Sequence, residues 1–316
     1  MNSSSEEAPI VFVYGALRSG TTVFRLMLKA HEGISCPGEV DFLFDYLARD
    51  ASHPTGWRYD KASLSTDRVF RAKQITLSPV LDGLDQLTDM LEQLKARSPG
   101  LMVLTVHRHA THIFETLPDA LFIHLLRDPR DVARSSIGMG WAGTLYYGVD
   151  HWINTETEWD EIFGRVSHRQ VIELKYEDLF TDLDYNLRRV CEFLGVPFSA
   201  AMLKYHETST YGPPDPSLIE QWRRCSEPRE IALMEGKADL LMQARGYALA
   251  GKQRSAGPIE RLGLFLVDRA RVWRFGIRRF GVKIYLSEKF SRWLGLTRFH
   301  NHVGNQIQEA TTRRLK

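Results

Sequence analysis

Cysteine is scarce in this chain. Among 316 residues only Cys36, Cys191 and Cys225 carry thiols, and none belongs to a Cys-x-x-Cys pair. That excludes a disulfide-stapled miniature fold and points to a reducing compartment. Long apolar runs are missing too: no stretch of about 18 uninterrupted apolar residues occurs, so no segment reads as a membrane span. The polar, acidic start Met1–Glu7 lacks the basic and apolar regions of a secretory signal, so a cytoplasmic location is expected. Internal repeats and low-complexity segments are absent. What remains, 43% hydrophobic and 25% charged, is the composition of an ordinary soluble globular protein with enough chain for a large core.

A net charge of +2 conceals an asymmetry. Residues 252–316 hold 15 Lys/Arg against 4 Asp/Glu, whereas the preceding residues hold 26 against 35. A net acidic body therefore carries a basic tail.

The chain is organised around Tyr14-Gly15-Ala16-Leu17-Arg18-Ser19-Gly20-Thr21-Thr22. The apolar run Ile10–Tyr14 predicts a buried strand, and Val23–Ala30 has one apolar helical face. Strand, glycine loop and helix N-terminus together bind phosphate through backbone N–H groups and the helix dipole. Gly15 and Gly20 have P-loop spacing, but Thr21 stands where an ATP-handling lysine is expected, and Arg18 is the loop's only cation.

Further along, His31–Glu39 reads as turn-rich, Val40–Leu47 as helical, residues 50–80 as irregular and Leu84–Lys95 as a helix. Leu101–Val106, Leu121–Leu126 and Gln170–Lys175 read as further strands. Leu183–Leu194 is a helix stopped by Gly195 and Pro197. This alternation predicts an α/β fold: a mainly parallel central sheet between helical layers, P-loop-like, with a basic helical C-terminal tail. In such sheets function gathers at the C-terminal strand ends, which here carry Arg18, His107–His109, Arg127 and Tyr176.

Arg127 leaves a strand end and Ser135 follows about two turns into the next helix, so a guanidinium and a hydroxyl can converge on an anion. With these residues the chain resembles the bacterial-type sulfotransferases that use 3′-phosphoadenylyl sulfate (PAPS). Arg18-Ser19-Gly20-Thr21-Thr22 is similar to their 5′-phosphosulfate loop, and Arg127-Asp128-Pro129-Arg130-Asp131-Val132-Ala133-Arg134-Ser135 to their 3′-phosphate motif. Leu174–Leu179 followed by Cys191–Val196 resembles a third region. The resemblance covers roughly residues 8–250, which implies a sulfotransferase domain there; the charge and helical pattern of 251–316 read as a basic amphipathic helical tail.

The resemblance implies roles. Arg18, Ser19, Gly20, Thr21 and Thr22 would hold the 5′-phosphosulfate, Arg127 and Ser135 the 3′-phosphate, and Tyr176 would contact the adenine. Cytosolic members close the site with an Arg-Lys-Gly loop that is absent here; Trp222-Arg223-Arg224 is a stand-in, or else a buried tryptophan beside surface arginines. No metal is needed, because sulfuryl transfer, by analogy with phosphoryl transfer, relies on positioning and cationic donors. A base for the attacking hydroxyl is needed. Residues 21–39 closely resemble protein-tyrosine sulfotransferases, in which a Gly-Glu pair supplies a carboxylate, here Glu39 with Pro37 inserted. Cytosolic members use a Lys-x-His histidine, here His109 in His107-Arg108-His109. Both stand as catalytic candidates beside Arg18. The histidines at 107, 109 and 112 have no cysteine nearby in sequence and read as hydrogen-bonded polar residues rather than zinc ligands.

Glycines between aromatics in Gly138–Gly148 suggest a mobile strip over a glycan or glycolipid acceptor, or a plain connecting loop. In the tail, Ile259, Leu262, Leu266, Ala270, Trp273, Ile277 and Phe280 share one helical stripe with arginines at its flanks. The pattern suits an anionic membrane surface, which would make the protein peripheral, or docking on its own domain or a partner subunit. No nucleic-acid-binding fold accompanies the charge. The expected activity is sulfuryl transfer from PAPS to an acceptor hydroxyl. The alternatives are a P-loop kinase and a non-catalytic nucleotide-binding scaffold. Oligomeric state is not legible.

Overall fold

The computed structural model describes residues 9–287 except 210, 214 and 284. They form two compact units, one of residues 9–132, 151–224 and 240–247, the other of 133–150, 225–239 and 248–287. The second unit holds the described part of the tail expected over 251–316 together with two earlier segments; residues 288–316 of that tail lie outside the described residues.

The first unit is built on a five-stranded parallel sheet, ordered β2-β5-β1-β6-β7. Its strands are β1 (Val11–Tyr14), β2 (Ile34–Glu39), β5 (Leu101–Val106), β6 (Leu121–Leu126) and β7 (Val171–Lys175). A separate antiparallel pair joins β3 (Leu47–Arg49) and β4 (Trp57–Tyr59). Strand β1 is buried along its whole length, as a central parallel strand with both faces covered must be. Its side chains alternate between two cores. Val11 and Val13 pack with Phe24, Met27 and Leu28 of helix α1 (Thr21–Lys29) and with Leu187 and Val190 of the helix Leu183–Phe193. Phe12 and Tyr14 face Leu87, Met90 and Leu94 of the helix Gly83–Lys95, and Trp159. Helices on both faces of a parallel sheet make the expected three-layer α/β fold, with the loop after β1 at the C-terminal edge.

Several local expectations change. The turn-rich stretch 31–39 contains β2, which pairs with β5 through a register shift between Ser35 and Gly38. Pro37 and Gly38 disguise a strand that survives because it lies at the sheet edge, where a missing N–H is tolerated. The irregular region 50–80 holds β4 and the short helices Lys61–Thr66 and Arg68–Lys73, capped by Asp60 and Asp67. The helix expected over Val40–Leu47 shrinks to Phe42–Asp45.

In the second unit the helix Pro258–Phe280 is anchored by Asp268, which is fully buried. Its Oδ1 accepts hydrogen bonds from the Gly143 N–H (2.7 Å), the Thr144 N–H (3.1 Å) and the Thr144 hydroxyl (3.2 Å). The glycines of the 138–148 strip allow close approach: a Cβ on Gly140 would lie 2.2 Å from the Phe275 ring, and one on Gly143 2.4 Å from the Asp268 carbonyl. The strip is pinned to this helix, not a loose cover.

Candidate active site

The loop between β1 and α1 is shaped by close approach. A Cβ on Gly15 would sit 2.4 Å from the Leu125 carbonyl oxygen of β6. We expect Gly15→Ala to lower stability by about 2 kcal/mol or more, the cost of overpacking against a backbone that cannot yield. A denaturant-unfolding midpoint unchanged from wild type would contradict that. Arg18 (φ 74°) and Gly20 (φ 88°) both adopt left-handed backbone, so the chain turns sharply enough to aim the first N–H groups of α1 into the loop. Gly20 is the N-cap and supplies no side-chain cap, and no acidic residue lies in the first turn. The N–H groups of a first helical turn lack intrahelical partners, so this terminus presents donors and partial positive charge to an anion.

Two residues from other strand ends hold the loop. The Tyr176 ring, only 3% exposed, lies under Gly20, where a Cβ would come within 2.2 Å of it. The Arg127 guanidinium stacks 4.3 Å above that ring. It donates from one terminal nitrogen to the Arg18 carbonyl (2.9 Å) and from the other to the Leu218 carbonyl (2.9 Å). That bond stabilises the left-handed Arg18 backbone, which otherwise costs of order 1 kcal/mol. Two buried polar atoms here make no hydrogen bond among the described residues: the Ser19 hydroxyl and the Arg127 Nε. A buried hydroxyl and a guanidinium N–H left so are donors that suit anionic oxygens. The loop therefore fits a phosphate-type ligand.

Glu39, the last residue of β2, lies beside this loop with its side chain about half exposed. His107, at the end of β5, is buried between the two. Its Nδ1 lies 2.9 Å from the Gly15 carbonyl, and since a carbonyl only accepts, Nδ1 carries the hydrogen. Its Nε2 lies 3.8 Å from a Glu39 oxygen, an ion contact rather than a hydrogen bond. Its backbone N–H donates to Asp41 (2.7 Å). Burial works against a charged imidazole, yet Glu39, Asp41 and the Gly15 carbonyl hold its pKa above the usual value. The His107 contact, with the more distant charges of Arg25 and Lys73, outweighs burial and keeps the Glu39 carboxyl below its ordinary range. At neutral pH Glu39 is therefore ionised and able to take a proton. Arg18, Arg25 and Lys73 form a cationic surround; desolvation and the Arg127 charge lower the pKa of Arg18.

His109 is held differently. It sits at the start of the helix Ala110–Thr116 with φ 66°. Its Nε2 lies 2.9 Å from Asp45, and its ring stacks on His112 at 5.0 Å. Among the described residues no group of three or more His, Cys, Asp or Glu side chains is arranged to hold a metal. Trp222 is a core anchor: it donates from its backbone to Asp131 (3.0 Å) and from Nε1 to Asp128 (3.1 Å), with the Arg130 guanidinium 3.8 Å over its ring. Asp128 also caps the helix Pro129–Gly138 by accepting from the Arg130 N–H (2.9 Å). Ser135 lies two turns along that helix, in the segment assigned to the second unit.

The structure thus gathers Arg18, Ser19, Gly20, Thr21, Thr22, Glu39, Arg127 and Tyr176 around one loop. It adds His107, which the sequence placed at a strand end without a contact to Glu39, and Arg25 and Lys73, which it did not single out. His107 directly ends the apolar run of β5, the one available signal, while Lys73 comes from a region with no legible pattern.

A parallel sheet whose central strand feeds a glycine-bracketed, uncapped helix N-terminus defines an α/β protein of P-loop-like type. Residues 9–200 match the sulfotransferase family, and the chain belongs to that family, whose chemistry is sulfuryl transfer. Protein-tyrosine sulfotransferase 2 of Gallus gallus is 25% identical over 271 residues, covering 82% of this chain and 70% of the relative. The protein-tyrosine sulfotransferase of Drosophila melanogaster is 25% identical over 214 residues, and the match spans 65% of this chain but only 42% of the relative. Among solved structures, the sulfotransferase domain from the curacin biosynthetic pathway shares the fold with a TM-score of 0.57 at 18% identity, over 77% of this chain and 99% of that one.

Proposed function

We propose that the protein moves a sulfuryl group from PAPS to an acceptor hydroxyl. The observation that carries this reading is the pair of buried donors, Ser19 Oγ and Arg127 Nε, flanking a helix N-terminus that has no lysine and no acidic cap. An ATP-dependent kinase would need the lysine that Thr21 replaces. In this reading Ser19, Gly20, Thr21 and Thr22 hold the 5′-phosphosulfate, while Arg127 and Ser135 serve the 3′-phosphate. Tyr176 acts from below as the platform that fixes Arg127 on the nucleotide side.

Glu39 is the proposed base. It accepts the proton of the acceptor hydroxyl as that oxygen bonds to sulfur and the bond from sulfur to the phosphate oxygen breaks, releasing 3′,5′-diphosphoadenosine. Arg18, Arg25 and Lys73 offset the charge that builds on the transferring and leaving oxygens. His107 keeps Glu39 ionised before the reaction. The dianionic phosphosulfate of the incoming donor raises the Glu39 pKa by Coulomb repulsion and so makes it a stronger base when it is needed. His109, engaged by Asp45, is the second candidate.

The glycan or glycolipid acceptor expected from the 138–148 strip loses its mobile cover, because that strip is pinned. The naming of the relatives as protein-tyrosine sulfotransferases favours a tyrosyl hydroxyl. Three free cysteines support the cytoplasmic reading. The test is transfer from labelled PAPS to a panel of tyrosyl peptides, glycans, glycolipids and simple phenols. Label moving to one acceptor class supports the reading. Tight nucleotide binding with no transfer to any class would favour the non-catalytic scaffold.

A further inference from the structure

The helix Pro258–Phe280 is packed on one face only. Asp268 is buried in its ring of donors from Gly143 and Thr144, and Gly276 abuts Tyr285, where a Cβ would lie 2.0 Å from the ring. These contacts fix the rotation of the helix about its axis. Turned away from them, at helical spacing, run Ile259, Leu262, Leu266 and Trp273, which are 88%, 60%, 59% and 44% exposed. Large apolar side chains, three aliphatic and one aromatic, are left in water along about four turns, so the stripe is more than scattered surface apolarity. Val267 and Ile259 continue it into a groove of about 860 Å³. Arg274 and Arg278 lie exposed along one border of the stripe; Arg269, along the other, is paired with the Asp268 carboxylate and only partly turned to solvent. No helix among the described residues is long and apolar enough to cross a membrane.

We propose that this face is an interfacial docking surface for anionic lipid. The apolar stripe enters the boundary between headgroups and acyl chains, Trp273 sits at headgroup level, and the bordering arginines meet lipid phosphates. Charge complementarity selects this occupant over a second protein copy. The basic excess of residues 252–316 works in the same direction, whereas two copies facing each other would set arginine against arginine.

The experiment is flotation of the full chain with vesicles of phosphatidylcholine alone or with 30% phosphatidylserine added. The expected result is flotation with the anionic vesicles, weakening with salt, and none with phosphatidylcholine alone. Leu262→Asp/Leu266→Asp should abolish flotation without changing the thermal midpoint, because both side chains are already solvent-exposed. Arg274→Gln/Arg278→Gln should lower the partition constant about 25-fold, two basic residues at roughly fivefold each. Three results would overturn the proposal: no flotation of the wild-type chain, unchanged flotation of the double aspartate variant, or a dimer in sedimentation that this variant dissolves while vesicles are ignored. Flotation that persists in the double aspartate variant would assign the binding to basic residues outside this helix.

Discussion

Glu39→Gln should lower kcat by about 10²-fold or more while leaving the affinity for 3′,5′-diphosphoadenosine within about twofold. The amide has the carboxylate's shape and none of its basicity, so the variant isolates proton acceptance from binding. His109→Ala should leave kcat within a few-fold, because its ring is engaged by Asp45 whereas Glu39 is contacted by His107. The opposite pattern would transfer the base assignment to His109. The pH profile adds a sharper readout. In the free enzyme the His107 contact is the foremost cause holding the Glu39 pKa below normal. Removing that imidazole in His107→Gln lets the Glu39 pKa rise, so the acid limb of kcat/KM should move to higher pH. A purely structural role for His107 would lower the plateau and leave the limb in place.

Arg127→Ala should weaken 3′,5′-diphosphoadenosine binding by about 10²-fold, because a charge-assisted hydrogen bond contributes ~1.5–3 kcal/mol and the variant also releases the Arg18 turn. Binding of 5′-AMP should fall less, since it lacks the 3′-phosphate. Arg127→Lys should not restore the wild type: an ammonium cannot span the Arg18 and Leu218 carbonyls while stacking flat on Tyr176. Calorimetry on both ligands with both variants checks this. Equal losses for the two nucleotides would mean that Arg127 only shapes the loop.

The sheet was legible in the sequence wherever its strands are fully buried. Ile10–Tyr14, Leu101–Val106 and Leu121–Leu126 are continuous apolar runs because both faces of a central parallel strand meet helices. Strand β2 was hidden because an edge strand can carry Pro37 and Gly38, residues that read as a turn. The glycine-bracketed turn after β1 was legible because glycine spacing is local. The surround of Glu39 was not: His107 and Lys73 reach it through tertiary packing, and nothing at positions 70–73 distinguishes that lysine from a solvated one. The basic tail was visible as charge, but its extent as a compact unit was not. Segments 133–150 and 225–239 join it through Asp268 and through Lys237, whose ammonium lies 4.3 Å from the Tyr146 ring. Position along the chain does not reveal such contacts. The Gly138–Gly148 strip misled for a related reason. Glycines that look like flexibility serve close packing against Phe275 and Asp268.

The central claim is that the loop after β1 and Arg127 together recognise a nucleotide bearing a 3′-phosphate. Titration calorimetry of the wild-type protein with 3′,5′-diphosphoadenosine and with 5′-AMP tests it most directly. The expected result is about tenfold or greater preference for the diphosphate, the worth of one added charge-assisted contact. Equal affinity for the two nucleotides would contradict it.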